Sequence, residues 1–91
     1  MTVEVKSPFR KDYLHKNKSI RLLIDKKISQ IETAKNISQI TGMIQLDGYS
    51  HHYRIKIDYK RKQYRILAIV RGNAVYFLRL IQRRIAYSNI K

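Results

Sequence analysis

The chain is 91 residues long and carries 20 Lys or Arg against 6 Asp or Glu, a formal net charge of +14 with no cysteine. That length is expected to form one domain, residues 1–91, with 44% hydrophobic residues as core material rather than a disordered composition. The absence of cysteine excludes disulfides and thiolate metal sites and suits a reducing cytoplasm, and the charge points to a polyanionic partner.

Thr2 to Lys6 alternates Val3 and Val5 against Glu4 and Lys6, the pattern of a short strand. Ser7-Pro8 reads as an N-cap followed by proline at the first helical position. The helix it opens runs from about Pro8 to His15 and sets Phe9 and Tyr13 one turn apart. Lys16-Asn17-Lys18 breaks the pattern, and Ser19 is expected to cap a second helix. There Ile20, Leu23, Ile24, Ile28 and Ile31 recur at helical spacing, with Arg21, Asp25, Lys26 and Glu32 elsewhere around it. Asn36 to Thr41 is irregular and carries Ile37 and Ile40 to the core. Met43 to Leu46 is compatible with a short strand, and Asp47-Gly48 marks a turn. Three strands follow, around Tyr53–Ile57, Gln63–Val70 and Val75–Ile81. Lys60-Arg61-Lys62 is read as the loop between the first two, and Gly72-Asn73 as a two-residue hairpin turn between the others. Gln82 to Tyr87 closes the chain as a strand end or a short helical turn. The expected fold class is α+β in the order β-α-α-β-β-β, two N-terminal helices packed on a small, mainly antiparallel twisted sheet.

From Tyr59 to the end there is no carboxylate, yet nine Lys or Arg residues occur there. Successive side chains of a strand point to opposite faces. If Tyr53, Ile55 and Ile57 pack inward, Arg54 and Lys56 project together from the other face. Like charges directly opposed across strands cost some tenths of a kcal/mol, so a sheet that keeps them there is best explained by a polyanion landing on it. Nucleic acid is the leading candidate. His51-His52 offers a tempting acid and base, but neighbours in a strand point apart and a surface loop histidine is the favoured reading. Three histidines without ligand spacing and scattered carboxylates give no metal site. No glycine-rich phosphate loop or nucleophile triad appears, so no small-molecule cofactor is expected. No apolar run approaches the roughly 18 residues of a membrane span, and the N-terminus has no signal segment.

The string Leu46-Asp47-Gly48-Tyr49, Tyr53-Arg54-Ile55-Lys56-Ile57, Tyr64-Arg65-Ile66, Val75-Tyr76-Phe77-Leu78-Arg79, Arg83 and Tyr87 stands behind a strand and a helical pair. In that order it resembles the RelE/ParE superfamily, the toxin components of bacterial type II toxin–antitoxin systems, over nearly the whole chain. The chain departs from the family at Gln45 and Asp47, where lysine is common, and at Gln82, where many relatives have histidine. Lys60-Arg61-Lys62 also reads as a longer loop than the family's tight glycine turn.

The resemblance implies an α+β toxin fold and, in the RelE-like branch, a ribosome-dependent endoribonuclease, an mRNA interferase in which the 2′-hydroxyl attacks the adjacent phosphodiester. It places Arg54, Lys56, Arg65, Arg83 and Tyr87 in the active-site set. Lys56 would be the base, on the expectation that neighbouring Arg54, Arg65 and Arg83 push its pKa downward. Arg65 and Arg83 would stabilise the phosphate and leaving group, and Tyr87 would stack on a splayed base. Lys60, Arg61, Lys62, Arg79 and Arg84 would grip RNA backbone. The implied partners are a cognate antitoxin, the ribosome and mRNA, in the cytoplasm and away from any membrane. Two other readings share the resemblance: a ParE-type toxin that poisons DNA gyrase, and a nucleic-acid-binding relative without catalysis. The basic cluster with its tyrosine favours the nuclease.

Overall fold

The computed structural model describes residues 1–48 and 50–82. Strand β1, Thr2–Val5, follows the expected alternation, with Val3 and Val5 packed against the core. Lys6 continues the ladder by donating its N–H to the Phe77 carbonyl at 2.9 Å, which holds its backbone extended at ψ 158°. That conformation makes Lys6 the N-cap, without a side-chain capping bond, and Ser7 the first residue of helix α1, Ser7–Leu14. The cap expected at Ser7 is thus displaced by one residue, because the ladder decides where the chain can turn. Phe9 is buried, with its ring 5.1 Å from Phe77 and 6.4 Å from Tyr13.

Helix α2, Lys18–Thr33, is capped by Asn17 rather than Ser19; the Asn17 Oδ1 accepts from the Ile20 N–H at 3.0 Å. Both residues can cap, but Asn17 has the extended backbone an N-cap needs. Of the apolar stripe, Ile20, Ile24 and Ile31 are buried and Leu23 and Ile28 pack partly against them. Tyr13 donates its hydroxyl to Asp25 at 2.8 Å and so ties the two helices together. A single 3-10 turn, Ile37–Gln39, delivers Ile40 into the core and Ile37 to its margin.

The remaining strands are β2 (Met43–Gln45), β3 (His52–Tyr59), β4 (Lys62–Arg71) and β5 (Ala74–Gln82). They make a five-stranded sheet ordered β1-β5-β4-β3-β2, with β1 parallel to β5 and the other pairs antiparallel. The short β2, which pairs Met43 with Ile55, adds one strand to the β-α-α-β-β-β order. It falls within the Met43 to Leu46 stretch that the sequence made compatible with a short strand. One sheet face, carrying Ile55, Ile57, Tyr64, Ile66, Ala68, Val75, Phe77 and Leu80, is buried with the helices. Each Ile, Val, Leu or Phe among them contributes roughly 1.5–3 kcal/mol on leaving water.

Two local features set the geometry of the other face. Tyr59 pairs with Lys62, so Lys60 and Arg61 alone form the β3–β4 turn, and Lys60 adopts φ +54°. The expected three-residue loop is therefore a tight turn with a lysine where glycine is the comfortable choice. Between β4 and β5 the register shifts: Ala68 faces Phe77 while Leu67 faces Arg79, leaving Leu78 as an extra residue. This bulge lets Phe77 and Leu80 both reach the core, although simple alternation would separate them. Gly72 and Asn73 form the expected hairpin turn, with Gly72 at φ +57°.

Candidate functional site

On the sheet face away from the helices the ladder brings cations together. Lys56 on β3 lies directly opposite Arg65 on β4, which in turn pairs with Ile81 on β5. In the adjacent row Arg54 pairs with Leu67, and Leu67 with Arg79. The inward set Ile55 and Ile57 is buried as expected, and Tyr53 is half-buried.

Arg65 is only 5% exposed, an uncommon state for a guanidinium unless it is paired. Its Nη1 donates to the Tyr64 carbonyl at 2.9 Å and to Asp58 Oδ1 at 3.4 Å. The other Asp58 oxygen lies 3.4 Å from Lys56 Nζ. One carboxylate thus bridges two cations that face each other across neighbouring strands, and it offsets the repulsion their placement would otherwise cost. A phosphate would meet the same donors in the same place. Asp58 belongs to the candidate site although the sequence reading passed over it. Its signal was its position two residues from Lys56, hence on the same strand face. Its charge also works against the like-charge repulsion on which the base role of Lys56 was argued.

The other candidates divide by location. Arg54 is half-buried on the same face and forms no ion pair with a described residue. Lys60, Arg61 and Lys62 are exposed at the hairpin tip, where Lys60 Nζ stands 5.3 Å from the centre of the Tyr59 ring. Arg79 is engaged elsewhere: its Nε and Nη2 donate to the Asp12 carboxylate at 2.8 and 3.2 Å, and the same carboxylate accepts from the Leu80 N–H at 2.9 Å. Asp12 thereby closes the edge of β5 beyond the end of β1. The Arg79 hydrogen bond, with help from Leu80, holds the Asp12 carboxyl below the usual carboxylate range against the opposing effect of burial. Arg83, Arg84 and Tyr87 lie outside the described residues. His52 sits on the same face as Arg54, opposite Ile69, while His51 is exposed in the preceding turn. Gln82 pairs with Tyr64 and shares the helix-side face with Leu80. The residue that replaces a family histidine therefore lies across the sheet from Lys56 and Arg65.

Beside the end of β3, Lys56, Ile57 and Asp58 meet Leu23, Lys26, Lys27 and Gln30 of α2 around a hollow of about 240 Å³. Lys27 Nζ donates to Gln30 Oε1 at 2.9 Å and to the Thr41 carbonyl at 2.8 Å, and burial pushes its ammonium below the usual lysine range. No sequence signal placed these lysines near Lys56, since only the docking of α2 over β3 does so. Among the described residues no group of His, Cys, Asp or Glu could hold a metal ion, and no helix is long and apolar enough to cross a membrane.

No protein-family model and no curated protein matches the chain. Solved structures do. A chain of the RelB-RelE antitoxin-toxin complex from Methanococcus jannaschii is 25% identical, with a TM-score of 0.74 over 92% of this chain and 94% of that one. A mutant of the E. coli toxin RelE in the free state is 15% identical, with a TM-score of 0.69 over 98% of this chain and 90% of that one. The chain is RelE-like in fold, as the resemblance in its motifs implied.

Proposed function

We propose that this chain of RelE fold is the toxin of a toxin–antitoxin pair and acts as a ribosome-dependent endoribonuclease on mRNA. The observation that carries the reading is the pairing of Lys56 with Arg65 across neighbouring strands, on a face that also holds Arg54. In the reaction the 2′-oxygen attacks the adjacent phosphorus while the bond to the 5′-oxygen breaks; the departing 5′-oxygen takes a proton from water, leaving a cyclic phosphate and a free 5′-hydroxyl. Negative charge grows on the phosphorane oxygens, and a planar guanidinium already held by the Tyr64 carbonyl meets it with little reorganisation. Lys56 serves as the base that takes the proton from the 2′-hydroxyl. Arg54 and Arg83 add positive charge around the phosphate, and Tyr87 stacks on a splayed base. The exposed Lys60, Arg61 and Lys62 hold ribosomal or messenger RNA backbone.

The partner is an acidic antitoxin, in keeping with the charge of +14, and the setting is the cytoplasm. The test is expression of the chain without a partner, followed by pulse labelling and mapping of mRNA 5′ ends. Arrested protein synthesis with new 5′-hydroxyl ends, lost on Arg65→Ala, is the expected result. Loss of DNA synthesis with translation intact would move the assignment to gyrase poisoning.

A further inference from the structure

At the other end of β4, on the same face as Arg65, lies a second hollow of about 350 Å³ lined by Lys6, Ile69, Arg71, Tyr76 and Leu78. Ile69 is four residues beyond Arg65, a separation of roughly 13 Å at the rise of a strand. Ile69 and Tyr76 are cross-strand neighbours, and the bulge in β5 supplies Leu78 as a third floor residue beside them. Two cations stand at the rim. Lys6 Nζ is 5.1 Å from the centre of the Tyr76 ring, and Arg71 is exposed at the end of β4. Glu4 lies opposite Tyr76 in the β1–β5 ladder, and the lining itself carries two cations and no carboxylate.

We propose that this hollow is a second nucleotide subsite, which takes a base and phosphate of the single-stranded RNA held at Lys56 and Arg65. The proposal rests on the RNA reading given above. A flat, apolar floor with an aromatic ring beside it suits the face of a base and tolerates any sequence, while cations at the rim suit the phosphate. The Lys6 ammonium that stands over the ring is carried on a flexible stem and can swing onto a phosphate as a base arrives. The distance from Arg65 matches a strand running a few nucleotides along the sheet. An acidic peptide would use Lys6 and Arg71 as well, but gains nothing from a stacking floor.

The test is fluorescence anisotropy of the full chain with labelled, uncleavable 2′-O-methyl RNA, as a trinucleotide and as nonanucleotides extended at either end. One of the nonanucleotides should bind about tenfold more tightly than the trinucleotide. Tyr76→Ala should remove that gain without changing trinucleotide binding, and Tyr76→Phe should keep it. Lys6→Gln with Arg71→Gln should lower the slope of log affinity against log salt by about 0.7, the value for one lost phosphate on a single strand. Crosslinking of 4-thiouridine RNA to the unsubstituted chain needs no variant to fold, and a crosslink within Tyr76–Leu78 is expected. Equal binding of short and long RNA, or crosslinks confined to β3 and the start of β4, would overturn the subsite. So would protection of Tyr76 by polyglutamate but not by RNA. A chain that shows the length-dependent binding but cleaves no mRNA on expression would keep the subsite and refute the nuclease reading.

Discussion

Asp58→Asn isolates the role of the carboxylate between the two facing cations, because it removes one negative charge and keeps the shape and an accepting oxygen. The pair with Lys56 joins side chains that are 51% and 43% exposed, so it is worth about 0.5 kcal/mol. The pair with Arg65 is intermediate: the guanidinium is 6% exposed and the carboxylate 43%. Breaking a wholly buried pair costs about 3–5 kcal/mol and a surface pair well under 1. Arg65 keeps its bond to the Tyr64 carbonyl, so about 1–2 kcal/mol is reasonable. The total is about 2 kcal/mol, or roughly 8–16 °C in Tm for a domain of this size. Binding should move the other way. A phosphate arriving at Lys56 and Arg65 no longer competes with a carboxylate, and a gain of about 1 kcal/mol is a roughly fivefold tighter complex. Urea unfolding with the m-value checked and anisotropy with uncleavable RNA measure the two effects. Weaker RNA binding by Asp58→Asn would refute this reasoning, since Asp58 would then serve to aim Arg65 rather than to occupy the phosphate's place.

Other expectations follow from single contacts. Lys56→Ala should lose mRNA cleavage; a cleavage rate equal to that of the unsubstituted chain would remove Lys56 from the reaction. Asp12 has its pKa lowered in the folded state, so its contribution is present above the unfolded carboxyl value and is lost as pH falls through the folded one. Asp12→Asn should therefore be less stable by roughly 1–2 kcal/mol at neutral pH, with the difference closing in acid, as urea melts across pH would show. Lys60→Gly relieves a left-handed lysine at φ +54° and should be neutral to stabilising by up to about 1 kcal/mol; a clear loss in thermal melts would contradict it. Association with the acidic partner should slow steeply as salt rises, and stopped-flow rates that ignore ionic strength would remove electrostatic steering from the account.

Most of the fold could be read from local periodicity. The strand alternation around Ile55 and Ile57, the helical recurrence from Ile20 to Ile31 and the Gly72-Asn73 turn depend on near neighbours alone, and all three appear in the structure. What failed depended on a choice between nearby alternatives or on distant contacts. Asn17 and Ser19 are both able to cap, and the sequence does not rank them. The β3–β4 turn mattered more. One additional loop residue would slip the register and send every β4 side chain to the opposite face. The tight turn at Lys60 and Arg61 is what puts Arg65 opposite Lys56 and within reach of Asp58. The Asp12–Arg79 pair joins residues 67 apart in sequence, and no local pattern foretells it.

The few carboxylates also explain how so basic a chain keeps a cationic face. Asp12 docks α1 against β5, Asp25 joins α2 to α1 through Tyr13, and Asp58 spans β3 and β4. Half of the six acidic residues thus hold elements together at defined junctions rather than being spread to neutralise the surface. Of these three, Asp12 and Asp25 act where α1 meets its neighbours, and their charge is committed to packing. Asp58 alone sits among the candidate site cations, half-exposed and at the long limit of an ion pair with both. A carboxylate so placed steadies Lys56 and Arg65 while the site is empty, and a phosphate with more charge and more acceptor oxygens can displace it. On the proposed nuclease reading, the site is then assembled before RNA arrives, and the repulsion between its cations is offset until the substrate takes over that role.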